Sequence, residues 1–151
     1  MIVTVDPILE SLRERATTSG RFANIELVHD VLRCRARDIE SEAWYLVETS
    51  DDGVAVLLVT PDRWLSESIE ADLMHSGDKL EELLEEELVD LGGSVSPEKP
   101  IKVEHFRSDD RLYTFRSSIP SGSDQETIFR WLLAYEATFI ELGDMSGERD
   151  D

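Results

Sequence analysis

A single cysteine stands between two arginines at Arg33-Cys34-Arg35, and neighbouring cations favour the thiolate that makes cysteine a nucleophile. The same segment offers a second chemistry, because Arg33, Arg35 and Arg37 form a row of guanidinium forks suited to a carboxylate or another anion. Metal binding would need several ligands brought together. His29, His75 and His105 lie far apart, none with a second His or Cys at ligand spacing, so no metal site is expected. With 34 acidic residues in the chain, no pair of carboxylates stands out as a general acid and base. No G-x-S-x-G, P-loop or G-x-G-x-x-G pattern occurs. The sequence therefore gives no catalytic residue and no cofactor.

The element that carries Cys34 decides how its chemistry reads. Leu32, Cys34 and Ala36 alternate with the three arginines, the period of a half-buried strand. Cys34 then faces the apolar side as an inert thiol. The arginines face water and pair across strands with carboxylates such as Glu42 or Glu48, or else they grip an anionic partner.

The remaining elements follow from pattern and punctuation. Asp6 and Pro7 suit the start of a helix that runs to about Thr17 and stops near Gly20. AWYLVETSDDGVAVLLVT gives two antiparallel strands about Asp51-Asp52-Gly53. RWLSESIEADLM and DKLEELLEEELVDL space their apolar residues three and four apart, so the middle is two helices or one broken at His75-Ser76-Gly77. Gly92-Gly93 and the loop SVSPEKP end it. IKVEHFRSDDRLYTFRSSI reads as a second hairpin about Ser108 to Asp110. Ser123 and Glu126 form a capping box that opens the closing helix. The expected fold is α+β. It is one domain over residues 1–145 with an antiparallel sheet of about five strands, in the order helix, three strands, helical middle, two strands, helix. An acidic tail occupies 146–151.

On the closing helix Ile128, Leu132, Tyr135, Phe139 and Leu142 suffice to pack on a sheet, which leaves Phe129, Trp131, Leu133 and Ile140 over. A large apolar patch in water is unusual for a monomer. These four, with Leu80 and Leu84 of the middle segment, are the candidate contact residues, to be covered by another helix, a second subunit or a partner.

Composition bounds the rest. A chain of 151 residues, 40% hydrophobic and 32% charged, fits one globular domain. Thirty-four acidic against 15 basic residues leave a net charge of −19, which repels phosphate backbones and argues against a nucleic-acid partner. The same acidity is compatible with salt adaptation, with a basic partner or with mimicry of nucleic acid. The apolar runs VAVLLV and WLLAY fall far short of the roughly 20 residues a bilayer span needs. MIVTVDPILE lacks the basic and apolar regions of a secretory signal, so a cytoplasmic protein is expected.

The order of elements resembles a known fold. An amino-terminal helix, a DG-marked hairpin leading into VAVLLV, a helical middle, a hairpin like KVEHFRSDDRLYTF and a closing amphipathic helix are similar to the type III secretion chaperone-like fold, shared by the bacterial secretion chaperones and the YbjN family of sensory transduction regulators. The resemblance spans roughly Pro7 to Leu142. It implies a small, acidic, non-enzymatic homodimer, and for the chaperones an apolar surface that binds segments of other proteins. The middle helix is the usual dimer element of those chaperones. Here it is replaced by the longer DKLEELLEEELVDL and Gly-Gly, which leaves the dimer geometry open.

The expected function is therefore a non-enzymatic protein-binding module, chaperone-like or regulatory, acting as a homodimer. The alternatives are an enzyme with a generic carboxylate or thiol site and an acidic nucleic-acid mimic. A closed polar pocket would favour the enzyme, and a long apolar groove would favour the binding module.

Overall fold

The computed structural model describes residues 7–37, 42–50, 53–93, 98, 100–120 and 122–146. The Asp6 cap, the Asp51-Asp52 turn and most of the SVSPEKP loop and the tail lie outside the described residues. The elements in chain order are α1 (Pro7–Ser19), β1 (Phe22–Val28), β2 (Val31–Ala36), β3 (Trp44–Ser50), β4 (Gly53–Thr60), α2 (Arg63–Ser76), α3 (Leu80–Asp90), β5 (Glu104–Arg107), β6 (Tyr113–Ile119) and α4 (Gln125–Phe139), followed by a 3-10 turn at Gly143–Ser146. The strands form one antiparallel sheet in the order β1-β2-β3-β4-β6-β5.

The class is the expected α+β, and the sheet has one strand more than the sequence suggests. Phe22–Val28 pairs with β2 as an edge strand, and its Ile25 and Leu27 are only half-buried. An edge strand needs less apolar material, so its alternation is faint. The turn to β2 falls at His29, which takes a positive φ of 54° without a glycine to mark it.

Local signals set several boundaries. Gly20 ends α1 at φ 69° and Gly77 ends α2 at φ 77°, both in the left-handed region that glycine enters without a Cβ clash. Asp62 caps α2 by accepting from the amides of Trp64 and Leu65. The cap of α4 is Asp124 rather than the expected Ser123, with Asp124 Oδ1 accepting from the Thr127 amide at 2.8 Å. The Ser123 hydroxyl donates instead to the Pro120 carbonyl.

Among the described residues all four helices pack on one face of the sheet. α1 lies on β1 and β2, α4 on β3 and β4, α2 on β4, and α3 on α4. The core between the layers joins Leu9 and Leu12 of α1, Cys34 of β2, Tyr45 and Val47 of β3, Val56 and Leu58 of β4, Leu65 and Ile69 of α2, and Leu132 and Phe139 of α4. The extra apolar residues of α4 are explained by its place between α1 and α3. Phe129 and Trp131 are 8% and 6% exposed, Leu80 and Leu84 of α3 are buried in the same core, and Leu133 and Ile140 are half-buried. Of the six candidate contact residues, only the last two keep an appreciable surface.

Candidate functional site

The opposite face of the sheet carries no helix among the described residues, yet its centre is apolar. Residues paired directly across antiparallel strands share a face, so the register builds this surface row by row. One row, from edge to edge, is Glu26, Arg33, Leu46, Leu57, Arg116 and Glu104. The next is Asn24, Arg35, Trp44, Val59, Thr114 and Phe106. Trp44, Leu46, Ala55, Leu57 and Val59 form a second apolar cluster that is itself buried, 3–9% exposed, beneath the longer side chains of this face, with half-buried Val31 and Leu112 packed against it.

A groove of about 470 Å³ runs over this cluster. Its floor includes Val31, Leu46, Leu57 and Val59, and its borders include Arg33, Arg116, Phe106 and Leu112. Glu48 and Asp110 also line it. Trp44 sits beside the floor under two cations, with the Arg33 guanidinium 4.4 Å and the Arg35 guanidinium 5.8 Å from its ring. Such contacts contribute roughly 0.5–1 kcal/mol at exposed sites, and they hold the forks in place. The Trp44 indole donates to Glu42 Oε1 at 3.2 Å, and Arg33 lies 3.6 Å from Glu26, its partner on the neighbouring strand. Glu42 thus serves Trp44, and the Arg33 partner is Glu26 rather than Glu42 or Glu48.

The structure brings together two of the three arginines in the expected row. Arg37 lies past the end of β2 and donates to the Gly20 carbonyl, which ties it to the end of α1. Arg116 takes the third place on the face from a strand 81 positions beyond Arg35 in the chain, a distance no local pattern could bridge. Cys34 faces the helix layer, fully buried, and burial pushes its thiol up to about 12. A thiol held protonated there is no nucleophile at neutral pH.

On the helix side a smaller cavity of about 280 Å³ is lined by Asp72, Asp78, Glu86, Glu87 and Glu141 with Thr138. Burial holds the Glu87 carboxyl above its usual range, with Asp90 and Glu141 adding to the effect. No group of three or more His, Cys, Asp or Glu residues among those described is placed to hold a metal ion.

One constellation that the sequence conceals has the connectivity of a catalytic triad. Ser66 Oγ lies 3.1 Å from His105 Nε2, and His105 Nδ1 lies 2.6 Å from Glu70 Oε1. Ser66 is 2% exposed, and its own amide is bound to the Asp62 carbonyl at 3.3 Å. A nucleophile has to meet its substrate beside free oxyanion donors, and Ser66 has neither the exposure nor its own amide to offer. The His105 ring stacks on Phe115 at 3.9 Å, so the three residues fasten β5 to α2.

Comparison with protein-family models, curated proteins and solved structures finds no match to this chain. Among the described residues no helix is long and apolar enough to cross a membrane.

Proposed function

We propose that this chain is a non-catalytic protein-binding module, and that the helix-free face of its sheet is the contact surface. The observation that carries this reading is the groove on the helix-free face, where exposed Val28 and Phe106 and half-buried Val31 and Leu112 present apolar surface over the buried Trp44, Leu46, Leu57 and Val59, with arginines on its borders in a chain of net charge −19. Apolar centres rimmed by polar groups, with arginine and aromatic residues prominent, are the usual composition of a protein contact. The groove lies open on the sheet face, with Val28, Val31, Phe106 and Leu112 among its lining, rather than closing round a polar centre, which favours binding over catalysis. The resemblance of the element order to the secretion-chaperone-like fold supports the same reading, including its chaperone-like or regulatory character. The expected homodimer has little left to use on the closing helix, and the mass in solution decides it.

Site-specific photo-cross-linking tests the surface. A photoreactive amino acid at Leu112, on the groove border, is compared with one at Val89, exposed on α3. In native lysate the reading expects a discrete protein adduct from position 112 that disappears in a Phe106→Lys background, Phe106 being 39% exposed in the same groove, and none from position 89. Adducts from position 89 alone, or adducts at 112 indifferent to Phe106→Lys, would overturn it.

A further inference from the structure

We propose that the cavity between the carboxyl ends of α2 and α4 and the flank of α3 binds a linear aliphatic polyamine, its ammonium groups on the carboxylates and its methylenes on Leu83 and Leu142. The cavity lies in the helix layer, so the inference stands apart from the reading of the sheet face.

Charge gives the first argument. Asp72 of α2, Asp78 of the α2–α3 turn, Glu86 and Glu87 of α3 and Glu141 just past α4 line this space of about 280 Å³, and no lining residue is basic. The helices that end here, α2 at Ser76 and α4 at Phe139, add the partial negative charge of their carboxyl ends. The site is also held in place. Asp72 Oδ2 accepts from the Gly143 amide at 2.9 Å, and the Asp78 amide donates to Ser76 Oγ at 3.2 Å. Burial, Asp90 and Glu141 keep the Glu87 carboxyl above its usual range against the opposing pull of Arg21, so the cluster lacks a full counter-charge.

An unpaired hydroxyl gives the second. Thr138 lines the same cavity from α4, is 4% exposed, and its Oγ1 has no hydrogen-bond partner among the described residues. A buried polar group left in this way is destabilising, and native structures keep few of them. A hydroxyl oxygen accepts, and an ammonium group has donors only. Thr138 thus offers a bound ammonium the acceptor that the protein itself leaves unused.

The layout decides between kinds of cation. No three acidic, histidine or cysteine side chains among the described residues are placed to hold a metal ion, so the carboxylates are spread along the cavity rather than turned on one point. Charges spread in this way match a chain that carries several ammonium groups. Half-buried Leu83 and Leu142, 8% exposed, add apolar wall, which methylenes cover and a hydrated ion does not. The volume falls just below the roughly 300–1,000 Å³ of drug-sized ligand sites, which suits a ligand of narrow cross-section.

The test is isothermal titration calorimetry of spermidine into the full chain at about 0.15 M salt, where charges farther apart than about 8 Å are largely screened. A single spermidine per chain is expected. Glu87→Gln/Glu141→Gln should weaken binding at least about tenfold, a difference of roughly 1.4 kcal/mol. Glu14→Gln/Asp30→Asn removes two exposed carboxylates from α1 and the β1–β2 turn and should leave the affinity nearly unchanged. Thr138→Val keeps the side-chain shape and should lose about tenfold in affinity while the melting temperature of the unliganded protein holds or rises. Equal losses in the two double variants, or binding that magnesium chloride at the same concentration reproduces, would mean that net charge alone gathers cations, and would overturn the site. Undiminished binding by Thr138→Val would overturn it too. A tetralysine peptide that binds more tightly than spermidine, and loses that affinity in Glu87→Gln/Glu141→Gln, would overturn the free polyamine in favour of a lysine-bearing chain.

Discussion

Ser66 and His105 meet at 3.1 Å across the gap between α2 and the edge strand β5, with Glu70 on the far side of the imidazole. Their atoms are those of a hydrolytic triad and their setting is that of a clasp. A fluorophosphonate probe is expected to leave Ser66 unlabelled in the native protein. His105→Ala should cost about 1–3 kcal/mol, because Ser66 is left as a buried hydroxyl without its partner. Labelling of Ser66 that His105→Ala removes would contradict the non-catalytic reading.

Glu136 on α4 is buried beside the Tyr45 hydroxyl, with Arg21 at 3.6 Å and Glu87 nearby. Burial raises its carboxyl above the ordinary 4.5, Arg21 opposes this and Glu87 adds to it. The folded chain therefore holds this proton more tightly than the unfolded one. Its stabilising contribution is complete below pH 4.5 and is lost as pH rises through the higher folded value. Glu136→Gln should raise the melting temperature at pH 7 and have little effect below pH 4.5. A variant less stable than the parent at pH 7 would mean that the pair with Arg21 outweighs the burial.

Gly143 begins the 3-10 turn that packs on α2, at φ 50°, and a Cβ built there would come within 2.6 Å of the Ser68 carbonyl carbon and 2.7 Å of the Ile69 nitrogen. Backbone cannot yield as a side chain can. Gly143→Ala should therefore destabilise by about 1–3 kcal/mol, measured by urea unfolding. An unchanged midpoint would show that the turn does not dock on α2 as described.

Much of the fold was legible because its signals are local. Gly20 and Gly77 stop their helices, and the period-two residues Leu32, Cys34 and Ala36 lie on one face. The edge strand β1 was hidden by its half-buried Ile25 and Leu27 and by a turn without glycine. The site was harder. Arg33 and Arg35 were visible as a row, but Arg116 joins them only through the order β3-β4-β6, and Ser66 meets His105 only through the docking of α2. Periodicity along one strand says nothing of which strand lies beside it.

The surplus apolar residues of α4 show the same limit, since the sequence counts them without saying what covers them. Trp131 is 6% exposed in the core that also holds Leu84 and Leu88, so Trp131→Ala should cost about 3–5 kcal/mol. Half-buried Leu133 should accept Lys with a far smaller loss. If Trp131→Ala instead leaves the melting temperature unchanged and lowers the light-scattering mass from near twice 17.2 kDa, that face is a subunit contact.

The helix-free face contains its own reporter, because Trp44 lies on it under Arg33 and Arg35 whereas Trp64, 74% exposed, lies on α2 and Trp131 is in the core. Protein labelled with 5-fluorotryptophan gives one fluorine resonance for each of these three indoles, to be recorded in dilute buffer and again in concentrated native lysate. If this face holds the partner, the Trp44 resonance shifts or broadens in lysate while those of Trp64 and Trp131 keep their positions, and Phe106→Lys, at an exposed groove position, restores the Trp44 resonance. An unchanged Trp44 resonance alongside a shifted Trp64 would move the contact surface to the helix layer and contradict the reading.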